Sequence, residues 1–358
     1  MHIHLWVTKM ISSKKINNAF LLFLVIILGA LLIINPKICE KSVAYSIVLC
    51  ARVLIPSLFP FGVCMLYIMK SGITEKLNFI YPFTRLLKLT PMAFIIMVMS
   101  MLGGYPIGAK LINEAVLQGT IAEKDAKRLI NFCVNAGPGF IVSAVGVGLL
   151  KNQKIGYVFL ASHITASLLI CIFSKGVRTS EKKSFRNLSP TENFVTSAGE
   201  SASTILSICG FVILFGVITA YIEHYSQQLP FLKPLIYIAE ITTAITKTDN
   251  IYLISFLLGF SGLCIWCQVL CVGKNIKINL LSFALHRILH GLLSSGITYI
   301  LVKLFKISQP TFSNSAEFTP FLFVSGTALG VSLLILGLIF IISLSSKQKN
   351  AKILEEFI

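Results

Sequence analysis

The sequence predicts an all-α, polytopic transmembrane helical bundle with broken or re-entrant helices, built from two repeats. Three observations predict it. Of 358 residues, 55% are hydrophobic and 13% charged, whereas soluble domains carry about 25% charged residues. The apolar residues gather in runs close to the roughly 20 residues that a helix needs to cross a bilayer. Several runs are interrupted by glycine, proline and polar residues, which lipid tolerates only where protein or a watery cavity surrounds them.

Charge placement sets the expected topology. The net charge is +17, but the basic residues form no single patch that would fit nucleic acid. They fall in short clusters: Lys9, Lys14 and Lys15; Lys175, Arg178, Lys182, Lys183 and Arg186; Lys347, Lys349 and Lys352. Under the positive-inside rule such clusters place both termini and the loop at 175–192 in the cytoplasm, beside anionic lipid. The nine cysteines lie mostly in apolar runs. Cys264 and Cys267 have C-x-x-C spacing, but no second pair or histidine follows at zinc spacing, so they read as small apolar filler. No cofactor is expected.

The elements follow in order. Residues 17–35 form a first span. No small-residue cleavage site follows, so this reads as a retained helix rather than a signal peptide. Residues 43–70 are apolar but carry Arg52, Pro56 and Pro60, which predicts a kink. Residues 91–118 break at Gly103-Gly104-Tyr105-Pro106, and residues 129–150 break at Gly137-Pro138-Gly139. Residues 155–174 are a clean span with His163. After the basic loop come 201–222, a short run 231–246 with Glu240, the interrupted run 250–272, 278–304 with His286, Arg287 and His290, and 319–345. The expected organisation is an N-terminal transmembrane helix at 1–36, a first repeat at 40–174, a basic cytoplasmic loop at 175–192, a second repeat at 193–305, and a C-terminal transmembrane helix and basic tail at 306–358. In the repeat reading, Ser100 to Gly108 aligns with Ser255 to Leu263.

The breaks carry the chemistry. Gly104 frees the backbone, and Pro106 suits the first turn of a new half-helix beginning near Tyr105. That end would point free N–H groups and a positive dipole end at a ligand. Lys110 and Glu114 lie on successive turns of its face and would either serve an anion or neutralise each other. Asn131 and Asn135 share a helical face before Gly137 and Pro138, and the proline frees a carbonyl near Val134. In the second half Gln268 and Arg287 are the polar residues of interest, since a guanidinium binds carboxylates bidentately. His286 and His290 have i, i+4 spacing without a nearby third metal ligand. His163 reads as a helix-packing hydrogen bond. The expected substrate-binding set is Gly104, Tyr105, Pro106, Lys110, Asn131, Asn135, Gly137, Pro138, Gln268 and Arg287. Hydrolase, zinc-protease, Walker and dinucleotide signatures are missing from the sequence, so no enzyme is expected.

The run Gly103 to Lys110, the charged stretch from Glu123, Asn131 to Asn135, Gly137 to Ile141, and His163 resemble the YlbJ-type sporulation integral membrane proteins of the nucleoside-recognition (Gate) domain group. Gly210-Phe211, Glu240, Leu258 to Gly262, Gln268 and Arg287 to His290 extend the resemblance, which covers about residues 40–305. Gly103 departs from the serine expected there, and a second glycine is missing near Cys209. The resemblance implies gate-like repeats and a place in endospore formation at the outer forespore membrane. It also implies transport of dipicolinate, a planar pyridine dicarboxylate. The alternatives are a nucleoside or nucleobase transporter, or a non-transporting scaffold for a sporulation complex. Expected partners are therefore a small-molecule anion, the lipid bilayer, and either sporulation membrane proteins or a second copy of the chain.

Overall fold

The computed structural model describes residue 19 and residues 21–71, 81–174, 176–177 and 189–307. The last span expected at 319–345, the basic tail, and most of the basic loop lie outside the described residues. Helices account for the fold, and no strand pairs form a sheet among the described residues. Five helices are long and apolar enough to cross a membrane, or six if one bent pair counts as a span. The protein is an integral membrane helical bundle.

Helix α1 (Leu21–Ile34) leads through Asn35 into the long α2 (Pro36–Lys70). The expected kink in α2 is a π-helical turn at Cys50–Leu54, just before Pro56. Proline lacks an N–H and its ring clashes with the carbonyl four residues back, here Arg52, so the turn widens. After α3 (Tyr81–Leu87), α4 (Pro91–Gly103) and α5 (Tyr105–Leu117) meet at Gly104, whose φ of 91° favours glycine. A Cβ on Gly108 would sit 2.8 Å from the Ser100 Cβ, so α5 folds back along α4 as a hairpin. Next come α6 (Glu123–Leu129), a non-helical crossing through 130–137, the π-helical α7 (Gly139–Leu149) and α8 (Gln153–Phe173).

The second half opens with α9 (Pro190–Tyr225), longer than the expected 201–222 because Ser189 and Glu192 form a reciprocal capping box. Helices α10 (Lys233–Ala239) and α11 (Ile241–Thr246) then meet at Glu240, whose carboxylate accepts the Thr242 and Thr243 N–H groups at 2.8 and 2.7 Å. The Tyr237 hydroxyl donates to the Lys247 carbonyl at 2.8 Å, which closes this second hairpin. Helices α12 (Ile251–Phe260) and α13 (Gly262–Val272) form one span interrupted at Ser261, and α14 (Leu280–Leu304) follows.

Contacts between loops sort the ends of these elements onto two sides. Val177 N–H donates to the Lys88 carbonyl, Arg128 donates to the Gly176 carbonyl, and Lys277 lies 3.9 Å from Glu123. On the other side Asn35 bonds Tyr221 and Tyr225, Lys247 pairs with Glu223, and Tyr252 packs on Tyr299. The α4–α5 hairpin therefore enters from the first side and the α10–α11 hairpin from the second. A broken span and a plain span follow each hairpin, running in opposite directions in the two halves. The alignment of 100–108 with 255–263 is corrected by this geometry: the first is a hairpin tip, the second a break within a through-going span. Apolar runs with a glycine look alike in sequence whether the chain turns back or continues.

Packing is also close where two glycines meet. A Cβ on Gly259 would lie 2.6 Å from the Gly291 Cα and N, so α12 and α14 touch backbone to backbone. Lipid offers little hydrophobic drive between helices, and such close contacts hold them instead. Gly259→Ala should cost about 1–3 kcal/mol by forcing these helices apart. A melting temperature in detergent equal to that of wild type would refute it.

Candidate functional site

The chemistry converges where the non-helical crossing at 130–137 threads between α4–α5, α8 and α14. Backbone groups released from a helix inside a bundle need partners. Here side chains from three elements supply them. Arg287 on α14, fully buried, donates to the Val134 carbonyl and, at 2.8 Å, to the Asn131 carbonyl. Ser167 on α8 donates to the Phe132 carbonyl at 2.7 Å, and the Asn135 amide donates to the same carbonyl at 2.8 Å. The Ala136 N–H donates to His163 Nε2 at 3.0 Å. His290 completes the group: its Nδ1 lies 3.0 Å from Arg287 Nη2 and its Nε2 3.1 Å from the His163 carbonyl.

These bonds fix both imidazole tautomers by elimination. The Arg287 N–H can only donate, so His290 Nδ1 accepts and its Nε2 carries the proton given to the His163 carbonyl. The Ala136 N–H can only donate, so His163 Nε2 accepts and its Nδ1 carries the proton. Among the described residues that Nδ1 has no partner, nor do Arg287 Nε or Asn135 Oδ1, although all three are buried. Gln268, on α13, is also buried with its Oε1 unpartnered, while its Nε2 reaches only the Cys264 sulfur at 3.4 Å.

The electrostatics are unbalanced. Arginine stays charged in proteins, yet among the described residues no carboxylate pairs with Arg287. Its charge is met only by carbonyls, one imidazole and the Phe283 ring, 5.8 Å from the guanidinium carbon. A buried cation without a counterion is costly.

The expected site residues separate into those inside this cluster and those beside it. Gly104 forms the hairpin tip, and Pro106 lies in the first turn of α5. Tyr105 crosses to the other half, where its hydroxyl donates to the Leu258 carbonyl at 2.6 Å, at the end of α12. Gly137 passes the tip so closely that a Cβ would lie 3.2 Å from the Leu102 carbonyl oxygen, and Pro138 precedes α7. Asn131 brings its carbonyl to Arg287, and Asn135 brings its amide to Phe132 and, at 3.3 Å, to Ser100. The shared helical face expected for the two asparagines is corrected: α6 ends at Leu129, before both of them, so no helical period relates them.

Lys110 also differs from expectation. It pairs with Glu200 on α9 at 3.2 Å, not with Glu114, which instead accepts from Gln118 at 3.1 Å. Lys70 shares Glu200 at 2.5 Å, giving two ammonium groups to one carboxylate. Changing either lysine to methionine leaves Glu200 paired and should cost at most about 1 kcal/mol. Glu200→Gln should lower the melting temperature more than either, since it leaves two cations facing each other. The reverse order would refute the shared pairing. His286 turns away from His290, with its Nδ1 2.7 Å from the Ser282 carbonyl, and no group of three potential ligands converges on a metal site among the described residues.

The site's contacts join segments quoted in the resemblance, and the chain as a whole compares with known proteins as follows. The chain is similar to the sporulation integral membrane protein YlbJ of Bacillus subtilis (strain 168). The two are 23% identical over 344 residues, covering 82% of this chain and 84% of YlbJ. No protein-family model matches the chain, and no solved structure matches it. The similarity to YlbJ spans both halves, so it extends well beyond any single hydrophobic helix.

Proposed function

We propose that this protein is a membrane transporter of a small organic anion. The observation that carries the proposal is Arg287, a fully buried cation with no carboxylate partner and with Nε unbonded among the described residues. An anion brought to it would supply the missing counter-charge and find a further free donor in the His163 Nδ1–H, whereas the free Asn135 Oδ1 can only accept. A guanidinium beside hydrogen-bond donors suits a carboxylate. Hairpins entering from opposite sides support alternating access, with the two halves rocking about the broken helices. Gly176 and Val177, which follow α8 and open the basic stretch 175–192, lie on the first side, which supports a cytoplasmic placement of that side.

The similarity to YlbJ, named as a sporulation protein, supports a role in endospore formation. Dipicolinate moving out of the mother cell across the outer forespore membrane is the substrate we put first. One of its carboxylates would pair with Arg287, whereas a neutral nucleoside would leave Arg287 uncompensated. The test is ligand-dependent stability of the purified protein. Dipicolinate at 100 times its dissociation constant should stabilise the fold by about 2.7 kcal/mol, with uridine giving no shift. A shift with uridine alone would overturn the anion reading in favour of a nucleoside.

A further inference from the structure

We infer that His163 is a proton-binding site that couples proton uptake to anion binding. This rests on the anion reading above and names its coupling ion. His163 lies in the middle of α8 and is buried, with one ring nitrogen accepting from Ala136 N–H and the other protonated and unpartnered. A proton can be added only at Nε2, and a protonated Nε2 can no longer accept from Ala136. Protonation therefore frees the backbone N–H at the tip of the crossing. It also creates an imidazolium close to Arg287, since the His163 and His290 ring centroids lie 4.3 Å apart at a tilt of 35° and His290 bonds Arg287.

The surrounding groups decide when this is tolerable. Facing the cluster are Arg287 and His290 from α14, Tyr105 from α5, whose ring lies 6.4 Å from that of His163, and Cys133 from the crossing. None of these is a carboxylate. Two buried cations would stand together without an anion, which the low-dielectric interior penalises heavily. A bound dicarboxylate removes the penalty and offers the freed Ala136 N–H an acceptor. The proton comes from water on the side from which the anion enters and ends on Nε2, so one positive charge travels with the substrate. Release on the other side returns the proton and restores the Ala136 bond.

Linkage makes the effect measurable in both directions. Calorimetry of dipicolinate binding to the full-length protein, in buffers of different ionisation heat, should show uptake of about one proton per anion. Affinity should rise by up to about tenfold per unit fall in pH between about pH 8 and pH 6. His163→Gln keeps an acceptor for Ala136 but cannot take the proton. It should bind dipicolinate without proton uptake and with pH-independent affinity. Wild-type binding without proton uptake would overturn the coupling while leaving the anion reading intact, and so would undiminished uptake in His163→Gln. Failure of the wild type to bind any dicarboxylate would overturn both readings. The wild-type arm needs no variant, so the inference stays testable even if His163→Gln folds poorly.

Discussion

Arg287→Met should weaken dipicolinate binding by roughly 10- to 150-fold while changing stability little. Two opposed terms produce that split. The change leaves the Asn131 and Val134 carbonyls without their donor, at about 1–3 kcal/mol each. It also removes a buried charge that lacks a counterion, whose burial costs several kcal/mol. The net stability change should fall within about 2 kcal/mol, whereas a charge-assisted bond to a carboxylate is worth about 1.5–3 kcal/mol, or roughly 10- to 150-fold in affinity. Arg287→Lys keeps the charge but not the fork that spans two carbonyls, so it should recover part of the binding and lose stability. A melting curve and a binding isotherm for each variant check this. If Arg287→Met collapses the fold while Arg287→Lys is fully active, the arginine serves chiefly as a brace for the crossing.

The second large effect belongs to Gly108. A Cβ there would lie 1.8 Å from the Cys133 carbonyl oxygen and 2.8 Å from the Ser100 Cβ. The carbonyl is backbone and cannot rotate away, so Gly108→Ala must push the hairpin off the crossing that holds the site. Overpacking usually costs about 1–3 kcal/mol, occasionally more. With backbone on the opposing side we expect the upper end, and loss of binding even where folded protein is recovered. Gly139→Ala is the matched control, since no atom lies within 4 Å of a Cβ at that position. Equal melting temperatures and affinities for the two variants would show that the hairpin does not press on the crossing.

Much of the fold was legible because lipid imposes simple rules. Long apolar runs had to be helices, and breaks at Gly104 and Gly137-Pro138 had to lie inside protein. A free carbonyl near Val134 was expected from a proline kink; the structure frees it instead because residues 130–137 are non-helical, and Arg287 takes it. What sequence could not supply was direction. A glycine break looks the same whether the chain folds back, as at Gly104, or runs on, as at Ser261. The α10–α11 hairpin was harder still, being two short helices around one buried glutamate.

Partners across the fold were likewise hidden. Lys110 pairs with Glu200, 90 positions away, although that lone acid at the edge of a long apolar run was a signal available in sequence. His163 and His290 read as packing and as half of a metal pair. Only the tertiary fold brings them beside Arg287 and leaves one ring proton without a partner. Polar atoms left unbonded at a protein's centre are a property of packing, and no spacing rule reveals them.

The most direct test of the central claim is dipicolinate flux into liposomes carrying the purified protein, with wild type and Arg287→Met compared at equal insertion. Wild-type flux should exceed that of protein-free liposomes, and at substrate below the wild-type dissociation constant the variant's flux should be lower by at least about tenfold. Equal flux through both proteins would show that the buried guanidinium does not carry the anion, and the proposed site would be wrong.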